Sequence, residues 1–226
     1  MKNHIIIKAL LISVFMFMQT SALAANKAGE VKTIKGDVSA TLDQETRTLS
    51  KGDDIYSNDL IATRPGALVE IMFVDESKFL VGPDSEMKID KFSYNKPNTE
   101  NSFSTKFLKG TFRFVTGLIA RYKPDSMDVN TAVATIGIRG TTVAVMANAT
   151  SATVVLEEPE DKTRKTAIEV SNQFGSVTID EPGYGTEIPD EFSPPSPARR
   201  MRLRTIDNLM RSLQSIQRIN IPRPRY

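Results

Sequence analysis

Two groups of carboxylates are the first candidates for chemistry in this chain. Asp53, Asp54 and Asp59 lie close together and invite a calcium site. Calcium loops of the EF-hand type alternate their ligands and place Gly at the sixth position, and this stretch does neither. The three are expected to be solvated turn acids. Glu157, Glu158, Glu160 and Asp161 form an acidic run, for which a solvated loop is the default. Two carboxylates held at a defined separation can cleave a glycoside. Nothing here fixes such a separation and no aromatic platform surrounds these residues, so a carboxylate-dependent hydrolase is the least favoured function. The only His is His4, and there is no Cys and no Trp. Beyond residue 24 this excludes Ser-His-Asp and Cys-His catalysis, His/Cys zinc sites and the usual haem ligands. No enzyme activity, cofactor or metal is expected.

Arg139 lies in an apolar strand between Ile138 and Gly140. A guanidinium there can hold an anion or a partner. In an acidic body the preferred expectation is a pairing with a carboxylate that locks the strand end, with alternation hiding the side chain. Gly137 and Gly140 bracket it and read as a bulge or a close backbone approach. Phe112 and Phe114 read as core.

The elements that must position these residues are short strands. Runs at 37–42, 60–63, 68–73, 79–82, 87–89, 111–115, 133–138, 142–145, 153–156, 168–170 and 176–179 are rich in β-branched or aromatic residues and bounded by turn residues. Several alternate with period two, as in Ile136/Ile138, Val143/Val145 and Val177/Ile179. Gly52-Asp53-Asp54, Arg64-Pro65-Gly66, Val74-Asp75-Glu76-Ser77 and Gly82-Pro83-Asp84-Ser85 supply tight turns. No stretch of 29–179 sustains a helical period. The expected fold is all-β: a β-solenoid or jelly-roll-like stack of short strands, with one C-terminal amphipathic helix.

Four segments follow. Lys2 and Lys8, the apolar run Ala9–Met18 and Ala22-Leu23-Ala24 read as a signal peptide, 1–24, cleaved after Ala24. The β-domain is 25–180. A Pro-rich linker, 181–197, is expected to stop the sheet. A basic amphipathic helix and tail, 198–226, repeats apolar residues every three or four positions from Leu203 to Ile219. That tail holds eight Arg and one Asp, a net charge of +7, so residues 25–197 carry −7 once Lys2 and Lys8 are removed. Arg200, Arg204, Arg211 and Arg218 are the candidate contacts of the tail. They can engage the protein's own body, a partner groove or an anionic membrane surface. Nucleic acid is not an expected partner of an exported protein.

The segment from Gly110 to Val145, together with the strands before it, resembles the FecR domain family. The matching positions are Gly29, Gly52-Asp53, Thr63, Gly66-Ala67, Asp75-Ser77, Gly110-Phe112 and Arg139-Gly140-Thr141. The resemblance is close over 29–147 and looser over 148–192. It implies a periplasmic, all-β, non-catalytic domain. In the best-known members that domain follows a cytoplasmic anti-sigma segment and a membrane helix and relays the state of an outer-membrane transporter. Here the signal segment leads directly into the β-domain, so a stand-alone member is expected and sigma-factor regulation is not carried over. The functional expectation is an envelope adaptor or sensor with a protein partner. A surface or glycan-binding structural protein is the alternative. Gly110, Phe112, Gly137, Arg139, Gly140 and Thr141 are the motif residues expected to be structural or partner-facing.

Overall fold

The computed structural model describes residues 26–95, 100–159 and 166–201, and beyond them Arg204, Asp207 and Arg211. Its strands are β1 (Lys27–Lys35), β2 (Val38–Leu42), β3 (Glu45–Thr48), β4 (Asp54–Tyr56), β5 (Leu60–Thr63), β6 (Leu68–Phe73), β7 (Lys78–Val81), β8 (Glu86–Ser93) and β9 (Ser102–Val115). After a short helix, α1 (Leu118–Tyr122), and a 3-10 turn (Pro124–Ser126) come β10 (Met127–Asn130), β11 (Thr135–Arg139), β12 (Thr142–Ala147), β13 (Ala152–Glu157), β14 (Ala167–Asn172), β15 (Gly175–Ile179), β16 (Tyr184–Ile188) and β17 (Arg199–Arg200).

The hydrogen-bonded ladder is continuous because β9 belongs to two layers. The C-terminal half of β9 joins a front layer in the order β4-β1-β6-β7-β9-β12-β13-β16-β17. Its N-terminal half joins a back layer in the order β3-β2-β5-β8-β9-β10-β11-β14-β15. Only β9–β10 pairs parallel; the other pairings are antiparallel. The short-strand stack is therefore all-β as expected, but it is not built from the parallel coils of a β-solenoid.

The side chains explain the double role of β9. Phe103, Thr105 and Phe107 point inward at odd positions, whereas Phe112 and Phe114 do so at even positions. A straight strand would turn the second pair outward. The strand bends at Gly110, where φ is +112°, and the phase flips with it. The two layers then face each other across a phenylalanine core. Phe73 of the front lies 4.6 Å from Phe103 of the back, and Phe107 stacks on Phe112 at 4.0 Å. Each fully buried ring contributes on the order of 1.5–3 kcal/mol.

The six positive-φ glycines, Gly36, Gly52, Gly66, Gly110, Gly140 and Gly183, all lie where the chain passes between layers. Three expectations are corrected here. The Pro-rich segment does not stop the sheet: β16 pairs with β13, and Ser196 binds back to Glu187, so the prolines sit in the connections before and after β16 and none falls inside it. The body does contain a helix, α1, whose five residues are too few to show a period. Arg199 and Arg200, placed in the C-terminal helix by the sequence, form an edge strand on β16. Arg204, Asp207 and Arg211 are helical, and the other residues of the expected helix lie outside the described residues, as does the signal segment.

Candidate functional site

The site begins with the β6–β7 turn. Val74-Asp75-Glu76-Ser77 closes a hairpin, with Glu76 at φ +70°. The Asp75 carboxylate is buried and accepts hydrogen bonds from its neighbours: Ser77 N–H at 3.1 Å, Ser77 Oγ–H at 2.9 Å and Ile119 N–H at 3.4 Å. The Asp75 carbonyl accepts from Leu118 N–H at 2.7 Å, and Ser77 Oγ accepts from Gly117 N–H at 2.9 Å. The turn thus supplies, from forty residues away, the acceptors that the first amides of α1 lack within the helix. Burial raises the Asp75 pKa, and the hydrogen bonds from Ser77 and Ile119 only partly oppose this.

The same strands lead to the Arg-Gly-Thr turn between β11 and β12. Thr141 is buried; its N–H donates to Thr116 Oγ1 at 2.9 Å, and its carbonyl accepts from Thr116 N–H at 3.1 Å. Gly140 has φ +60° and nothing within 4 Å of a built Cβ, so its requirement is conformational rather than one of space. Gly110 differs: a Cβ there would lie 2.0 Å from Ser85 Oγ and 2.6 Å from Ser85 Cα. Phe112 is core, as expected. Gly137 has neither a positive φ nor a tight neighbour; its nearest contact would be Glu169 O at 3.7 Å.

Two grooves flank this turn. A front groove of about 460 Å³ is lined by Lys78, Thr116, Arg121, Gly140, Thr141 and Thr142, among others. Thr142 Oγ1 is buried there and has no hydrogen-bond partner among the described residues. A back groove of about 380 Å³ is lined by Asp125, Asp128, Gly137, Arg139, Glu169 and Thr178, among others. Of the motif residues, Gly140 and Thr141 line the front groove and Gly137 and Arg139 the back one, whereas Gly110 and Phe112 lie further along β9, opposite Ala147 and Val145. Arg139 corrects its expectation: it is exposed on the outer side of β11 and makes no ion pair among the described residues. Alternation sends Ile136 and Ile138 inward and so sends Arg139 out.

The carboxylate groups also differ from expectation. Asp59 is fully buried, not solvated. Arg47 donates to both of its oxygens and lies over the Tyr56 ring, while Asp59 also accepts from Tyr56 N–H. Asp53 accepts from Ser50 N–H, and Asp54 pairs with Lys27. Glu157 ends β13 and pairs with Arg113 at 2.7 Å rather than standing free in a loop. Glu160 and Asp161 lie outside the described residues. Of the tail candidates, Arg200 is exposed on β17, Arg204 and Arg211 are exposed, and Arg218 lies outside the described residues. The sequence reading missed α1, and with it Arg121 and Tyr122; the Asp75–Ser77 turn followed by Gly117 was the available signal.

Residues 59–160 match the FecR protein family. The chain contains a FecR domain. The matched stretch begins just before β5 and ends past β13, so β1–β4 and β14–β17 extend the FecR sandwich at both ends. Among solved structures, a candidate anti-sigma factor from Parabacteroides distasonis ATCC 8503 is 12% identical over 67% of this chain and 63% of its own, with a TM-score of 0.50. The FecR chain thus spans less than two thirds of that protein, and the likeness is one of fold. A cell surface anchoring domain is 29% identical over 27% of this chain and 82% of its own, with a TM-score of 0.26. No curated protein matches. Among the described residues no helix is long and apolar enough to cross a membrane.

Proposed function

We propose that this FecR protein is an exported, non-catalytic interaction module of the cell envelope, an adaptor or sensor that binds a protein partner at the rim of the front groove. One observation carries the reading. Tyr122 is 80% exposed beside exposed Arg121, on a helix whose amides are tied to the buried Asp75–Ser77 turn. Tyr and Arg dominate the energetic centres of protein interfaces. A rigid mount lowers the ordering cost of using them. Val74, 47% exposed on the same turn, adds an apolar neighbour.

Export follows from the leader-like residues 1–24, and the FecR domain fits that address. Intact mass of the periplasmic protein should correspond to a chain starting at Ala25. Full-length protein retained in the cytoplasm would overturn the address. For the partner, a photo-crosslinking residue at position 122 is exposed to envelope extract, with the same residue at Lys51 as control. A discrete protein adduct specific to position 122 is expected. Equal adducts at both positions would remove this rim as the interface. Sedimentation with purified cell wall and no adduct would favour the glycan-binding alternative.

A further inference from the structure

The outer sides of the two layers are unlike. In the back layer the outward residues Lys88, Thr135, Arg139, Glu169 and Thr178 are exposed, as on a sheet face open to water. In the front layer Phe79/Val81, Val143/Val145 and Val154/Leu156 point into the shared core, so Leu80, Ala144 and Val155 must point out. Yet these three are only 4%, 0% and 4% exposed. They lie outside the core cluster, and β7, β12 and β13 pack in the described structure against ladder neighbours and the opposing layer. Something else covers this face.

The register shows from where. Arg199, Gly185, Val155, Ala144, Arg113, Leu80 and Glu70 are direct cross-strand partners and form one row from the β17 edge to β6. Met201 turns onto that row at its β16 end. Its N–H donates to Gly183 O, and a Cβ on Gly185 would lie 2.9 Å from Met201 Sδ and 2.8 Å from Val155 Cγ2. From β16 to β6 the face is five strand spacings wide, about 24 Å. Residues 203–219 would make a helix of about 25 Å. Arg204 and Arg211 are helical, exposed and two turns apart on one side; a helix continued through 203–219 would carry Ile206, Leu209 and Leu213 on the opposite side.

We infer that residues 203–219 lie as an amphipathic helix across the outer face of the front layer, their apolar stripe on Leu80, Ala144 and Val155. The chain leaves the sheet at one end of the row and has the length to reach the other. The Arg199–Glu187 ion pair fixes the departure point. The tail thus covers a sheet face, not an end of the stack.

Because the natural chain has no Cys, single thiols report cover cleanly. In the full-length protein, Ala144→Cys should react with a maleimide at least tenfold more slowly than in the same chain ended after Met201. Val155→Cys serves if Ala144→Cys does not fold. Equal rates in the full and shortened chains would overturn the inference. A pair joining Ala144→Cys to Leu209→Cys, or to Met210→Cys, should oxidise within one chain. Disulfides formed only between chains would assign the cover to a second copy and overturn it as well.

Discussion

A Cβ built on Gly117 would lie 2.1 Å from the carbonyl oxygen of Asp75, and 2.4 Å from Ser77 N. These are backbone atoms of a turn locked by its own side-chain hydrogen bonds, so they cannot swing aside. Gly117→Ala must push α1 off the turn, at a cost of roughly 1–3 kcal/mol. Gly137→Ala is the contrast: its Cβ meets only Glu169 O at ordinary distance, so it should be neutral or slightly stabilising. Thermal melts of the two variants check this, and equal losses would refute it.

At Gly140 the demand is backbone conformation alone. With φ +60° and open space around it, Gly140→Asn should be nearly neutral, whereas Gly140→Val should lose about 1–2 kcal/mol, the ordinary cost of left-handed backbone for a branched residue. Arg139→Ala, which breaks no ion pair of the described structure, should leave the denaturation midpoint unchanged. A large loss for Asn at 140 would mean that space there is restricted after all.

Much of this was legible in the sequence. Runs of β-branched and aromatic residues bounded by turn residues located β2, β5, β6, β7, β12, β13, β14 and β15 to within a few residues; β2, β5, β14 and β15 bury one side, whereas β7, β12 and β13 are buried on both. The elements it missed have physical reasons. β3 (Glu45–Thr48) buries no residue, so it carries no apolar signal. α1 is shorter than two turns. β16 lies between prolines that signalled a linker, although none falls inside the strand. Arg47 and Asp59 are hydrophilic in type, and only the fold reveals that Asp59 is buried beneath a partly exposed Arg47. Among the motif glycines, Gly110 needs space, Gly140 needs a positive φ and Gly137 needs neither, and telling these apart required coordinates.

The Arg47–Asp59 pair yields a double-mutant test. Asp59 is fully buried while the Arg47 side chain is 34% exposed, so Arg47→Ala, which leaves the Asp59 carboxylate without its cation, should cost at most the roughly 3–5 kcal/mol of breaking a fully buried pair. Removing both charges with Arg47→Met and Asp59→Leu should cost less than the sum of the single changes. Urea denaturation of the four proteins measures the coupling. Strict additivity would show that the two residues do not act together.

Asp75 gives the folded protein a signature in pH. Its carboxyl is buried, and no ion pair reaches it among the described residues; the resulting rise in pKa means that the native state holds the proton more tightly than the unfolded chain. Wherever the native state binds more protons than the unfolded one, stability falls as pH rises. The Asp75 contribution is therefore most favourable below its unfolded value of about 4, declines as pH climbs through the raised native value, and is flat above it. Asn at this position keeps one acceptor oxygen, so it can serve Ser77 N–H, which bonds to Oδ1, or Ile119 N–H, which bonds to Oδ2, but not both; the resulting loss is independent of pH, and Asn has no proton to lose in this range. Asp75→Asn should thus remove that decline, and the denaturation midpoint of the variant relative to that of the natural protein should rise from pH 4 upward and then level off. Glu76→Gln, on the same turn, leaves the buried carboxyl in place and should retain the decline. Parallel pH profiles for Asp75→Asn and the natural protein would show that burial does not govern this carboxyl.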